Sequence, residues 1–190
     1  MPRLLLPAVA IACAVSCQAE PATETTVLTM SDTDHDSPRV TTDLVDPNLW
    51  QPRSPTNDPF SEHRPASVEC GLSGALVENG ALEINTNNCN YYAAFQPMLV
   101  GLETGDPVTI ELRHFDLVAP EPATAHVAIE IAGDTVWEQT IAIPGPAAVL
   151  KPSWVAPRDY PAGTAVDIHL HNHGQNTWTL AWIRGEVKNP

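Results

Sequence analysis

Leu76-Val77-Glu78-Asn79-Gly80-Ala81-Leu82-Glu83-Ile84 decides the fold class of this chain. Apolar and polar residues alternate on either side of Asn79-Gly80. That dipeptide accommodates the positive φ angles of a type I′ turn, so the stretch reads as a β-hairpin. The period of two recurs at 91–97, 108–117, 126–132, 136–143, 166–173 and 177–183, with Gly and Pro turn residues between the runs. Successive strand side chains point to opposite faces, so each run supplies one apolar and one polar face. The region shows no convincing amphipathic-helix period.

About eight strands joined by irregular, sometimes long connections predict an all-β domain over residues 66–190, a two-sheet antiparallel β-sandwich of jelly-roll type. An immunoglobulin-like sandwich is the second architecture that fits. Cys70 and Cys89 stand too close in sequence for the usual disulfide between its sheets. The pair still reads as a disulfide, because an exported chain meets an oxidising compartment and no Cys-x-x-Cys spacing points to a metal. Upstream, residues 17–65 are rich in Thr, Ser, Asp and Pro and lack an apolar period, as in Ser31-Asp32-Thr33-Asp34. Such a segment reads as a solvated, disordered tether. Trp50 and Phe60 are its exceptions, placed to dock its end onto the domain.

Residues 1–16 carry one positive charge at Arg3, an apolar run from Leu4 to Ala12, and a polar turn after Cys17. An apolar run of about 12 residues is short of the ~20 that cross a membrane and suits a signal peptide. Ala14-Val15-Ser16-Cys17 resembles the lipobox of bacterial lipoproteins, with Ala14 where that motif usually carries Leu. The resemblance implies cleavage before Cys17, lipidation of its thiol and, with Gln18 following, sorting to the outer membrane. Cys13 offers a second register, and cleavage without lipid a third outcome. The partners implied are a membrane, reached through the lipid anchor, and an extracellular or periplasmic ligand, a glycan or another envelope protein.

With a net charge of −14, most of the surface repels polyanions, which argues against nucleic acid and against direct adhesion to anionic lipid heads.

The most pointed chemistry lies in Asp167-Ile168-His169-Leu170-His171-Asn172-His173. Val166, Ile168 and Leu170 share the core face, leaving Asp167, His169, His171 and His173 on the other. Histidines two apart are separated by about 6.6 Å along a strand and the outer two by about 13 Å, so a metal site takes two of them plus a ligand from a neighbouring strand. His126 is the candidate for that ligand, because Val127, Ile129 and Ile131 claim the apolar side of its strand and leave it beside Glu130. His114 has the opposite parity and reads as a buried, hydrogen-bonded histidine. Neutral imidazoles without a free thiolate favour zinc or copper. A strand-borne His-x-His with a third histidine resembles the zinc site of carbonic anhydrases and the metal sites of cupins, in those positions alone. The competing reading is a solvated sheet face on which the histidines pair with Asp167 and Glu130.

A second candidate surface consists of Asn90, Tyr91, Tyr92, Trp154 and Asn176, with Tyr160, Gln175 and Trp178 nearby in the pattern. Aromatic rings that stack on sugars, beside amides that bond their hydroxyls, resemble the sites of carbohydrate-binding modules. Trp178, Leu180 and Trp182 alternate on one face, which assigns both indoles to the core. Nucleophilic catalysis finds little support, since Ser67, Ser73 and Ser153 lack a Gly-x-Ser-x-Gly context. The reading is a non-enzymatic ligand-binding domain, with a metal-binding domain or metalloenzyme as its alternative.

Overall fold

Strands form where the alternation places them in the computed structural model, which describes residues 38–189. The expected signal peptide, Cys17 and the first part of the expected tether lie outside the described residues. The strands are β1 (Arg39–Asp43), β2 (Gln51–Pro52), β3 (Ala75–Glu78), β4 (Ala81–Asn85), β5 (Tyr91–Pro97), β6 (Pro107–His114), β7 (Ala123–Ile131), β8 (Asp134–Ile143), β9 (Ala148–Leu150), β10 (Ser153–Val155), β11 (Ala165–Asn172) and β12 (Thr177–Lys188). β3 and β4 form the expected hairpin, with Asn79 and Gly80 at φ angles of 50° and 76°.

Two antiparallel sheets result. Sheet I has seven strands in the order β10-β6-β12-β4-β3, with β9 also on β6 and β1 also on β12. Sheet II has five, in the order β2-β5-β11-β7-β8. The chain crosses between sheets from β5 to β6, from β6 to β7, from β8 to β9, from β10 to β11 and from β11 to β12, which is jelly-roll behaviour. Long strand β12 pairs along its C-terminal half with β1, so Arg39 lies opposite Lys188, and the Asn189 amide donates to the Pro38 carbonyl at 3.0 Å.

The core lies between the sheets. Val108, Ile110, Leu112, Trp178, Leu180 and Ile183 of sheet I meet Tyr92, Ala94, Val127, Ile129, Val166, Ile168 and Leu170 of sheet II, all buried. A fully buried Val, Leu or Ile stabilises a fold by roughly 1.5–3 kcal/mol, which fixes the register of each central strand. His114 is buried as its parity requires, packed on Trp178 with ring centroids 4.6 Å apart.

Two expectations need correction. The pairing of β12 with β6 shifts register between Leu180 and Trp182, so Ala181 is an extra residue and Trp182 lies opposite Glu111 on the outer face. A bulge reverses parity beyond it, which turns one of the two indoles out of the core. The domain also begins well before residue 66. β1 and β2, with three 3-10 turns at Pro47–Leu49, Pro55–Asn57 and Ser61–His63, belong to it. The prolines Pro47 and Pro55 start two of these turns, a position that suits their fixed φ. Leu44, Val45, Trp50 and Phe60 dock separately instead of forming a stripe, so no periodicity reveals them.

Cys70 and Cys89 are joined in a disulfide that ties the entry to β3 to the start of β5. In the chain-entropy treatment a loop of this length contributes about 3 kcal/mol. Denaturant titration of the Cys70→Ser/Cys89→Ser variant is expected to show a loss of that order, equal to the loss caused by reductant in the parent protein.

Candidate functional site

The outer face of sheet II carries the polar stripe of β11, and residues 51–64 run across it. The Arg53 amide donates to the Ala93 carbonyl at 2.8 Å, which adds this segment to the edge of β5. Its guanidinium grips Asp167 through Nε at 2.6 Å and Nη2 at 2.8 Å and lies over the Phe95 ring at 3.9 Å. Further along, the buried Asp58 accepts from the Tyr91 hydroxyl and from Arg64 at 2.9 Å. Burial and the Asp58 carboxylate push the Tyr91 phenol well above its ordinary range.

Beneath this segment lie the histidines. His169 sits between Ala93 and Ala128 on the neighbouring strands, two short side chains that leave room above its ring. Phe60 stacks there at 4.7 Å, and Tyr91 meets the ring edge-on at 5.0 Å. His169 is fully buried, and neither ring nitrogen has a hydrogen-bond partner. His126, one strand over, donates through Nε2 to Glu138 Oε1 at 2.7 Å, while its buried Nδ1 has no partner. His63, from the last 3-10 turn, lies parallel on His126 with centroids 3.7 Å apart. His63, His126 and His169 thereby form a cluster in which one nitrogen of each lies within 4.8 Å of the others.

The converging set therefore differs from the sequence expectation. His126 and His169 come together, but the third member is His63, while His171 and His173 stand beside them, 4.3 Å apart, on the rim of a 440 Å³ groove shared with Glu62, His63 and His126. The sequence signal for His63 is weak, a histidine three residues after the isolated Phe60 in an aperiodic stretch. Glu130 lies opposite Asp167; its carboxyl is pushed up by burial and then by the charges of Asp167, Glu138 and Asp134.

The five residues of the second candidate surface brace the fold. Tyr91 and Tyr92 are buried. Asn90 accepts from the Glu69 amide at 2.9 Å and donates to the Ser67 carbonyl at 3.0 Å. Trp154 turns inward beside Tyr160, and the buried Asn176 accepts from the Thr86 hydroxyl at 3.2 Å.

The outer face of sheet I has an open groove of 380 Å³ lined by Arg113, Phe115, Val149, Thr177 and Thr179. Cross-strand partners share a face, so Val149, Arg113, Thr179, Glu83 and Leu76 form one row across it. Glu111 in the next row accepts from Arg113 Nε at 2.7 Å and from Lys151 at 3.0 Å. Those bonds hold its carboxyl below the ordinary range. Phe115 is 67% exposed at the groove, an apolar ring left in water.

No protein-family model matches the chain, and no curated protein matches it in sequence. Among solved structures it is similar to one described as "CBM4 structure and function", at 14% identity and a TM-score of 0.42, over 74% of this chain and 89% of that one. It is also similar to the C-terminal CBM6 of a laminarinase from Zobellia galactanivorans, at 16% identity and a TM-score of 0.37, over 63% and 96%. A third is the CBM22-1 xylan-binding domain from Paenibacillus barcinonensis, at 11% identity and a TM-score of 0.36, over 81% and 97%. At these values the likenesses identify neither a family nor a ligand.

The buried histidine has a pH consequence. Burial, reinforced by His126, His63 and His171, pushes the His169 pKa down to about 2. An unfolded histidine titrates near ~6.5, so the contribution of neutral His169 is complete above that pH and is lost by about 1.4 kcal/mol per unit below it. Metal-free protein is expected to lose about 2 kcal/mol between pH 7 and pH 5 in denaturant titrations. His169→Leu is expected to lose clearly less over the same interval.

Proposed function

We propose that this chain is an envelope lipoprotein, sorted to the outer membrane through Cys17, whose sandwich domain is a non-enzymatic binder of neutral glycans. The observation that carries the glycan reading is the groove on sheet I, where the exposed Phe115 ring stands beside the Thr177 and Thr179 hydroxyls and the Arg113 guanidinium. A pyranose presents apolar C–H groups on its faces and hydroxyls around its edge. An aromatic ring takes the face, and hydroxyl and guanidinium groups take the edge. The groove volume falls within the range of small-molecule sites, about 300–1,000 Å³. Arg113 and Lys151 share the Glu111 carboxylate, and Glu83 stands in the same cross-strand row as Arg113, so two cations meet two carboxylates, which suits an uncharged sugar.

The lipoprotein part of the reading is supported by the apolar run after Arg3 and by the residues before Cys17. The disulfide is compatible with export.

Affinity electrophoresis and calorimetry against soluble β-glucans, xylans and chitin oligosaccharides test the groove. Phe115→Ala is expected to weaken binding at least about tenfold, or about 1.4 kcal/mol, with an unchanged melting temperature because the ring is already exposed. Undiminished binding by that variant, or hydrolysis of any of these glycans, would overturn the reading. For the anchor, Cys17→Ser is expected to abolish fatty-acid labelling and move the protein from the membrane to the soluble fraction.

A further inference from the structure

We infer that His63, His126 and His169 bind one divalent ion of the zinc or copper(II) class, which fastens residues 51–64 onto sheet II. The three imidazoles come from three elements, the last 3-10 turn, β7 and β11, and bring one nitrogen each to within 4.8 Å of the others. Around a tetrahedral zinc with nitrogens at about 2.0–2.1 Å, ligand nitrogens stand about 3.3 Å apart, so the set closes by at most roughly 1.5 Å.

The buried nitrogens point the same way. Both nitrogens of His169 and Nδ1 of His126 are buried without a hydrogen-bond partner. A buried polar atom left unpaired costs about 1–3 kcal/mol, and an ion takes up such lone pairs directly. His126 already has the partner that a metal-bound histidine uses. Its Nε2 faces Glu138 Oε1 at 2.7 Å; donating there leaves Nδ1 bare for the ion.

Charge and access agree. Neutral imidazoles leave an ion its full charge, and Glu62, 3.7 Å from His63, and Glu138 supply negative charge beside it. The 440 Å³ groove lined by Glu62, His63, His126, His171 and His173 opens onto two of the three ligands and gives an ion its way in. Imidazole without thiolate selects zinc or copper(II) over magnesium or calcium.

One ring must move. His63 lies on His126 with only 7° between the planes, so their in-plane lone pairs lie in separate parallel planes and cannot meet at one ion. The His63 side chain is 33% exposed and turns out of the stack on binding, whereas His126 and His169 are already inclined at 52°.

The test uses the full chain without an affinity tag, stripped with chelator and titrated calorimetrically with zinc and, separately, with copper(II). One ion per chain, a higher melting temperature and imidazole-nitrogen couplings in the spectrum of the copper form are expected. His63→Ala is expected to weaken binding at least about tenfold, and Glu138→Gln roughly 10–100-fold. His63 is half-buried at the surface, so its removal tests the site without emptying the fold. The double variant His171→Ala/His173→Ala is expected to bind within about twofold of the parent, against the 10–100-fold loss expected at the site itself. No uptake at millimolar metal, unchanged affinity in His63→Ala, or loss confined to the His171/His173 variant would each overturn the inference. The site lies on the sheet opposite the groove of Phe115, so its failure leaves the glycan reading intact.

Discussion

Arg53 and Asp167 hold the covered half of this molecule together. Asp167 is buried on the outer face of β11, directly opposite Glu130 on β7, an arrangement of like charges that destabilises a sheet unless a cation intervenes. Arg53 intervenes with both edges of the carboxylate, and its planar fork does so without leaving an acceptor unmatched. Removing one member of such a pair strands a buried charge, at a cost of about 3–5 kcal/mol. The rest of the covering segment follows from that clamp. It sets the point from which the next turns carry Asp58 to the Tyr91 hydroxyl, Phe60 to the His169 ring and His63 to His126.

The two outer faces consequently differ in kind. Sheet II has its polar stripe under a strap, with His169 withdrawn from water and held neutral by burial. Sheet I leaves Arg113 exposed and Thr177 and Thr179 half-buried beside one exposed aromatic ring. A sandwich whose core consumes the inner face of every strand has only these two surfaces and its loops for chemistry.

Much of this was legible in the residues. The Asn79-Gly80 turn, the bounds of β5 at Tyr91 and Pro97, the Cys70–Cys89 bridge and the facing of His169 with His171 follow from parity and turn chemistry, which act over a few residues. What escaped depends on distant partners. Nothing local to Asp58 or Arg53 announces that Tyr91 and Asp167 will meet them, so the segment 38–64 reads as unstructured although its contacts are tertiary. Trp182 failed for a different reason: one extra residue at Ala181 inverts the alternation on which its assignment rested. His63 escaped with the strap that carries it.

The pairing of Arg39 with Lys188 has a consequence for presentation. The described chain enters and leaves the sandwich side by side, on the paired strands β1 and β12. The groove beside Phe115 and the histidine cluster lie on opposite sheets, so a molecule seated on one leaves the other open.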